Sequence, residues 1–273
     1  MNLTPLSTLL ARRIRGDGRT TFDVPDDWLQ GRTSFGGLVS VFAVQAMRDA
    51  AGASWPAGVT LRALQTNFIA PVEAGALDVT VQVLREGRNI RQVQALVRQR
   101  DATCALMVGV FGTDRETTLA PLHPVRPVPA RSIDDLPQHP FTAGRRPNFT
   151  AHLDMRWAEG GPPFSGSPDW QASIHLRLID ADDAVSAELM TVLMADVSPS
   201  PALSHFSAPA PASSVSWALE LRRLPETETL GGWWRADNRV VAAEGGYVNQ
   251  QSMLWSPGGT LAALAYQVVT VYG

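Results

Sequence analysis

The sequence predicts an α+β protein built from one unit used twice, a buried helix followed by an antiparallel meander. Three observations carry that expectation. A proline-rich stretch divides the chain, each half contains one helix-length apolar segment followed by strand-like runs, and the halves close on similar strands. The last similarity sets Thr103-Cys104-Ala105-Leu106 against Thr260-Leu261-Ala262-Ala263. Duplication is its simplest account.

In the first half, Thr20 to Val24 reads as a short strand. Leu38 to Met47 is apolar almost all round, interrupted only by Ser40 and Gln45, so a helix there must be buried on nearly every side. Gly36 and Gly37 precede it and Gly52 follows, which suits a tight entry and a glycine exit. Strands are expected over Thr66 to Ala70, over Leu77 to Val83 by alternation, and over Ile90 to Gln99 and Thr103 to Phe111. Pro121, Pro124, Pro127, Pro129, Pro137, Pro140 and Pro147 then exclude regular structure and predict an extended linker. The expected organisation is therefore 1–114, a linker over 115–147, and 148–273. In the second half, strands are expected over Phe149 to Trp157 and Ala172 to Ile179, and a helix over Asp183 to Met194. Strands resume over Val215 to Leu221, Gly232 to Ala243, Tyr247 to Trp255 and Thr260 to Tyr272.

Composition narrows the function. The chain has 273 residues and a formal net charge of -3, and all 23 basic residues are arginine. With no lysine, Schiff-base and phosphate-loop lysine chemistry are excluded. No basic run exceeds a pair, which argues against a nucleic-acid partner. Cys104 is the single cysteine, so no internal disulfide is expected, and its apolar neighbours favour an inert core thiol. The five histidines lack paired metal-ligand spacing, so no metal or other cofactor is expected. No secretory apolar region or membrane-length run is visible, which leads to the expectation of a cytoplasmic protein with no membrane partner.

Motif order adds a resemblance. Trp28-Leu29-Gln30-Gly31-Arg32-Thr33-Ser34-Phe35-Gly36-Gly37 before an apolar helix, and Leu84-Arg85-Glu86-Gly87-Arg88-Asn89 between two strands, resemble the acyl-CoA thioesterase II family. Met194-Ala195-Asp196, Ser213-Ser214-Val215-Ser216 and the run Gly259 to Gln267 agree with it. The resemblance implies a double hotdog, two repeats of an antiparallel sheet wrapped around a buried helix, hydrolysing acyl-CoA and assembling into homo-oligomers. It also implies that Asp196, a serine at 213 or 214 and Gln267 position a hydrolytic water. The family commonly has threonine where Ser214 stands, and an aspartate-histidine pair where this chain has Val215-Ser216-Trp217.

The residues can be weighed individually. Leu261, Ala263, Ala265, Val269 and Val271 share a strand face that Gln267 interrupts; an unpaired amide there would cost about 1–3 kcal/mol, so polar partners should converge on it. Asp196 suits either catalysis or the N-cap of a helix beginning near Val197. By strict alternation Ser214 falls on the polar face with Ser216, Ala218 and Glu220, opposite Trp217 and Leu219, which fits a solvated surface as well as a site. Gly36 and Gly37 are candidates for a helix N-terminus that receives an oxyanion. Arg88 and Arg91 are candidate anchors for coenzyme A phosphates. Two competing functions stay open: a hotdog that binds acyl-CoA or lipid without catalysis, and a hotdog enoyl-CoA hydratase, which His205 beside Asp196 would favour.

Overall fold

The computed structural model describes residues 2–16, 18–128, 131–180 and 182–272; Pro129 of the expected linker lies outside them. The first half comprises α1 (Leu6–Ala11), β1 (Ile14–Gly16), β2 (Arg19–Val24), β3 (Leu29–Gln30), β4 (Thr33–Ser34), α2 (Gly36–Ala51), β5 (Thr60–Phe68), β6 (Gly75–Glu86), β7 (Ile90–Gln99) and β8 (Ala102–Gly112). The second comprises β9 (Leu153–Glu159), β10 (Gln171–Leu178), α3 (Ala187–Asp196), β11 (Ala212–Leu221), β12 (Trp234–Glu244), β13 (Tyr247–Trp255) and β14 (Leu261–Val271).

Twelve strands form one antiparallel sheet in the order β1-β2-β6-β7-β8-β5-β11-β14-β13-β12-β10-β9. Each half contributes six neighbouring strands, and the β5–β11 pairing, with Leu64 opposite Leu219, joins them. This is the double hotdog: α2 and α3 lie inside the curved sheet, and residues from both halves share a single core.

The helices run antiparallel. Gly37 at the start of α2 approaches the Leu193 carbonyl near the end of α3, while Arg48 near the end of α2 pairs with Glu188 at the start of α3. Residues 37–44, Ala46 and Met47 of α2 are all buried, as its continuous apolarity requires. Its two polar interruptions are satisfied locally, Ser40 Oγ donating to the Gly36 carbonyl and Gln45 Nε2 to Asp49.

Several boundaries differ from expectation for physical reasons. Phe149 to His152 form a 3₁₀ turn, not a strand; there Phe149 stacks on Phe35 and His152 on Trp28. α3 starts at Ala187 because Ser186 caps it, its hydroxyl accepting the Leu189 N–H. α1 was not expected from its short apolar patch. Between Gly112 and Asn148 the described residues hold a single 3₁₀ turn, Ile133–Asp135. Extended proline-rich backbone leaves its carbonyls free, and arginines answer them: Arg235 Nη1 donates to Pro127 at 2.7 Å and Arg156 Nη1 to Ile133 at 2.9 Å.

Candidate active site

Asp196 is the last residue of α3, so the alternative of an N-cap for a following helix is overturned; the next helical turn, Pro201–His205, is capped by Ser200. The end of α3 brings Asp196 against the start of α2. A Cβ added to Gly36 would stand 2.8 Å from Asp196 Oδ2 and 3.2 Å from the Phe68 ring, and one added to Gly37 would stand 2.5 Å from the Phe35 ring. Both glycines are needed for this helix-to-helix approach. No side chain caps α2 at Phe35, and the Gly37 N–H faces the Asp196 carboxylate.

Gln267 connects the remaining polar groups. Its Nε2 donates to Ser214 Oγ at 2.7 Å and to Asp196 Oδ1 at 3.3 Å. Its Oε1 accepts from Gln250 Nε2 at 2.7 Å. Gln267 is thereby a fully used amide on an otherwise apolar strand face.

Ser214 corrects the alternation argument. The β11–β14 register shifts between Ser214 and Ser216, leaving Val215 as a bulge. The extra residue reverses side-chain parity, so Ser214 turns inward with Trp217 while Val215 is exposed. Between the two serines, Ser214 is the one bonded to Gln267; Ser213 is exposed and its hydroxyl donates to the Ser214 carbonyl.

Electrostatics single out Asp196. Its carboxylate faces the crowded junction of two helices, and desolvation pushes its pKa up to about 7, against the opposing pull of the Gly37 N–H and the Gln267 amide. A carboxylate poised near neutrality is suited to take and return a proton.

Arg88 and Arg91 are not brought to this cluster. Arg91 is level with Phe111, which is level with Leu61, whereas Ser216 is level with Asn67, six residues along β5; at about 3.3 Å per residue the separation is roughly 20 Å. Arg88 is exposed on the β6–β7 turn at that distant end, and Arg91 is buried there against Trp55, 5.7 Å from the ring. Both were placed by local turn chemistry, which carries no information on which end of the sheet a turn occupies. His205 lies tilted against Trp170, 3.9 Å between ring centroids, and the side-chain hydrogen bond to Asp196 comes from Gln267, so His205 and Asp196 do not form the acid-histidine pair of a hydratase. Cys104 is buried, and burial pushes its thiol pKa up. Gln250 escaped the sequence reading: its face of β13 carries Val248, Gln250, Ser252 and Leu254, a more polar run than the apolar face that Gln267 interrupts. A depression of about 380 Å³ lies across the back of these strands, among outward Gln65, Asn67, Asn249, Gln251 and Tyr266.

A carboxylate, a hydroxyl and an amide thus converge beside the uncapped N-terminus of α2, where the two hotdogs meet. The acyl-CoA thioesterase N-terminal domain matches residues 24–112 and the acyl-CoA thioesterase C-terminal domain matches residues 133–271. The chain belongs to the acyl-CoA thioesterase family and is a thioester hydrolase. Among solved structures it is similar to a conserved hot dog fold protein of unknown function from Alicyclobacillus acidocaldarius, at 19% identity over 99% of both chains with a TM-score of 0.82. It is also similar to the tesB protein of Mycobacterium avium subs paratuberculosis, at 18% identity over 98% of both chains and a TM-score of 0.77. The acyl-CoA thioesterase II TesB2 of Mycobacterium marinum matches at 17% identity over 98% of both chains, with a TM-score of 0.72. No curated protein matches the sequence.

Proposed function

We propose that this protein hydrolyses acyl-CoA thioesters to the free acid and coenzyme A by direct attack of a water activated by Asp196. The observation that carries the proposal is the convergence of Asp196, Ser214 and Gln267 through bonds of 3.3 and 2.7 Å beside the start of α2. Asp196 takes a proton from the water as its oxygen bonds to the thioester carbonyl carbon. Collapse of the tetrahedral intermediate breaks the carbon–sulfur bond, and the same proton passes to the departing thiolate. Ser214, whose O–H stays free to donate, holds the water; Gln267 fixes Ser214 and Asp196 relative to one another, and the open end of α2 with its dipole offsets the oxyanion. Gly36 and Gly37 serve that role by letting the carbonyl and Asp196 approach the backbone. No acyl-enzyme is required.

The non-catalytic acyl-CoA or lipid binder is separated from this by pairing two measurements. Thiol release across short to long acyl-CoA esters is expected, together with binding of a non-hydrolysable acyl-CoA by titration calorimetry; tight binding without thiol release would contradict the proposal. We also read the chain as two hotdogs, 1–114 and 148–273, joined by 115–147, working in the cytoplasm on lipid-derived acyl groups as a homo-oligomer. Among the described residues no helix is long and apolar enough to cross a membrane. Sedimentation of the purified protein tests the assembly.

A further inference from the structure

We infer that Gln250 is a positioning residue of this site, biasing which end of the Gln267 amide faces Asp196 and Ser214. The inference rests on the hydrolytic reading given above. It begins with the β12–β13 hairpin, whose Gly245 and Gly246 adopt φ of +58° and +78°, the left-handed pair a tight two-residue hairpin turn requires. From that turn β13 runs antiparallel to β14, and in that ladder Gln250 pairs with Gln267, which in turn pairs with Trp217. Trp217, Gln267 and Gln250 form a row across three strands on the inner face.

An amide can rotate by half a turn with little change of shape, exchanging donor for acceptor. Ionised Asp196 accepts only and favours Gln267 Nε2 toward it. Protonated Asp196, and the Ser214 hydroxyl, can instead donate to a rotated Gln267 Oε1. Burial makes both forms of Asp196 populated near neutral pH, so these neighbours alone leave the amide undecided. Gln250 biases it. Its Nε2 donates to Gln267 Oε1 at 2.7 Å, and turning Gln267 alone would set N–H against N–H. With Gln250 in this orientation the Gln267 donors stay on Asp196 and Ser214, which favours ionised Asp196 and leaves the Ser214 O–H free to donate. Asp196 is the titratable side chain of this network among the described residues.

The Gln250 Oε1 has no hydrogen-bond partner among the described residues, so the bond to Gln267 is the one side-chain hydrogen bond that Gln250 makes there.

The test uses two variants of the full chain and two readouts. Gln250→Met removes the donor at similar length; Gln250→Glu, ionised, offers only acceptors and draws Gln267 Nε2 toward itself. The Asp196 titration is followed by carbon NMR of aspartate-labelled protein, assigned by difference from Asp196→Asn, and kcat/KM for acyl-CoA is followed against pH. In Gln250→Met, the Asp196 midpoint and the acid limb of the profile are expected to move up together by about one pH unit, with kcat/KM at pH 7 down about tenfold. Gln250→Glu shifts both further. An unchanged Asp196 midpoint in Gln250→Met overturns the inference, whatever the activity does. Because the NMR titration needs no turnover, a parent inactive on every acyl-CoA would sink the hydrolytic reading separately. If Gln250→Glu does not fold, Gln250→Met decides alone.

Discussion

The two ends of the α2–α3 pair each hold one carboxylate, and the surroundings of the two are opposite. At one end Glu188 accepts Arg48 Nε at 2.8 Å and Arg48 Nη2 at 2.5 Å, and also the Leu61 N–H at 2.6 Å. At the other end Asp196 accepts one amide N–H, from Gln267, and has no cation partner among the described residues, and its pKa is pushed up to about 7. The duplicated sheet shows the same divergence. β5 slips register against β8 between Leu61 and Ala63, as β11 does against β14 between Ser214 and Ser216. Aligning the slips sets Leu61 at the place of Ser214, and Gly109, opposite Leu64, at the place of Gln267, opposite Trp217. A Cβ on Gly109 would meet Met47 Sδ and the Phe111 ring at 2.8 Å, so no glutamine fits there. The compensated carboxylate ties the two helices together; the undercompensated one keeps a raised pKa.

Replacing the connecting group gives the largest expected effect on this contrast. Gln267→Leu keeps the volume and removes both donors, and should lower kcat for acyl-CoA hydrolysis by about 10²–10³ while leaving the melting temperature equal or higher. Arg48→Ala does the reverse: it strips Glu188 of its cation, costing about 3 kcal/mol in denaturant unfolding, while hydrolysis per folded molecule stays within about twofold.

The pH dependence of stability distinguishes the ends next. Asp196 titrates near 7 folded, against an ordinary 3.8, so the folded state holds the proton more tightly. This group therefore costs nothing below about pH 4; its cost grows as pH rises from about 4 to 7 and is constant above. Asp196→Asn should stabilise the protein by on the order of 2–4 kcal/mol at pH 8 and negligibly at pH 4, read from urea midpoints at the two pH values. The smallest effect belongs to the hydroxyl: Ser214→Ala should slow hydrolysis about tenfold and Ser213→Ala not at all, with thiol release as the readout.

The sequence disclosed those parts that repeat locally. Continuous apolarity over Leu38 to Met47 identified the buried helix, and Gln267 stood out because it breaks an alternating apolar face. Ser214 was assigned to the wrong face because a single bulge at Val215 inverts parity, and a bulge is a property of pairing with β14, not of the β11 sequence. Arg91 was misplaced because a turn motif does not tell which end of the sheet it occupies. The Asp196 carboxylate looked like a cap because the Gly37 N–H that it faces lies in the other half of the chain. Gln250 was not legible by the criterion applied to Gln267, because Ser252 shares its face of β13, and its meaning requires the β13–β14 register.

The central claim, that only the undercompensated carboxylate does chemistry, is tested most directly by comparing Asp196→Asn and Glu188→Gln for thiol release from one acyl-CoA ester at pH 8, per mole of folded protein. The account predicts a loss of at least about 10³ for Asp196→Asn and less than about threefold for Glu188→Gln. Equal losses in the two variants, or undiminished hydrolysis by Asp196→Asn, would contradict it.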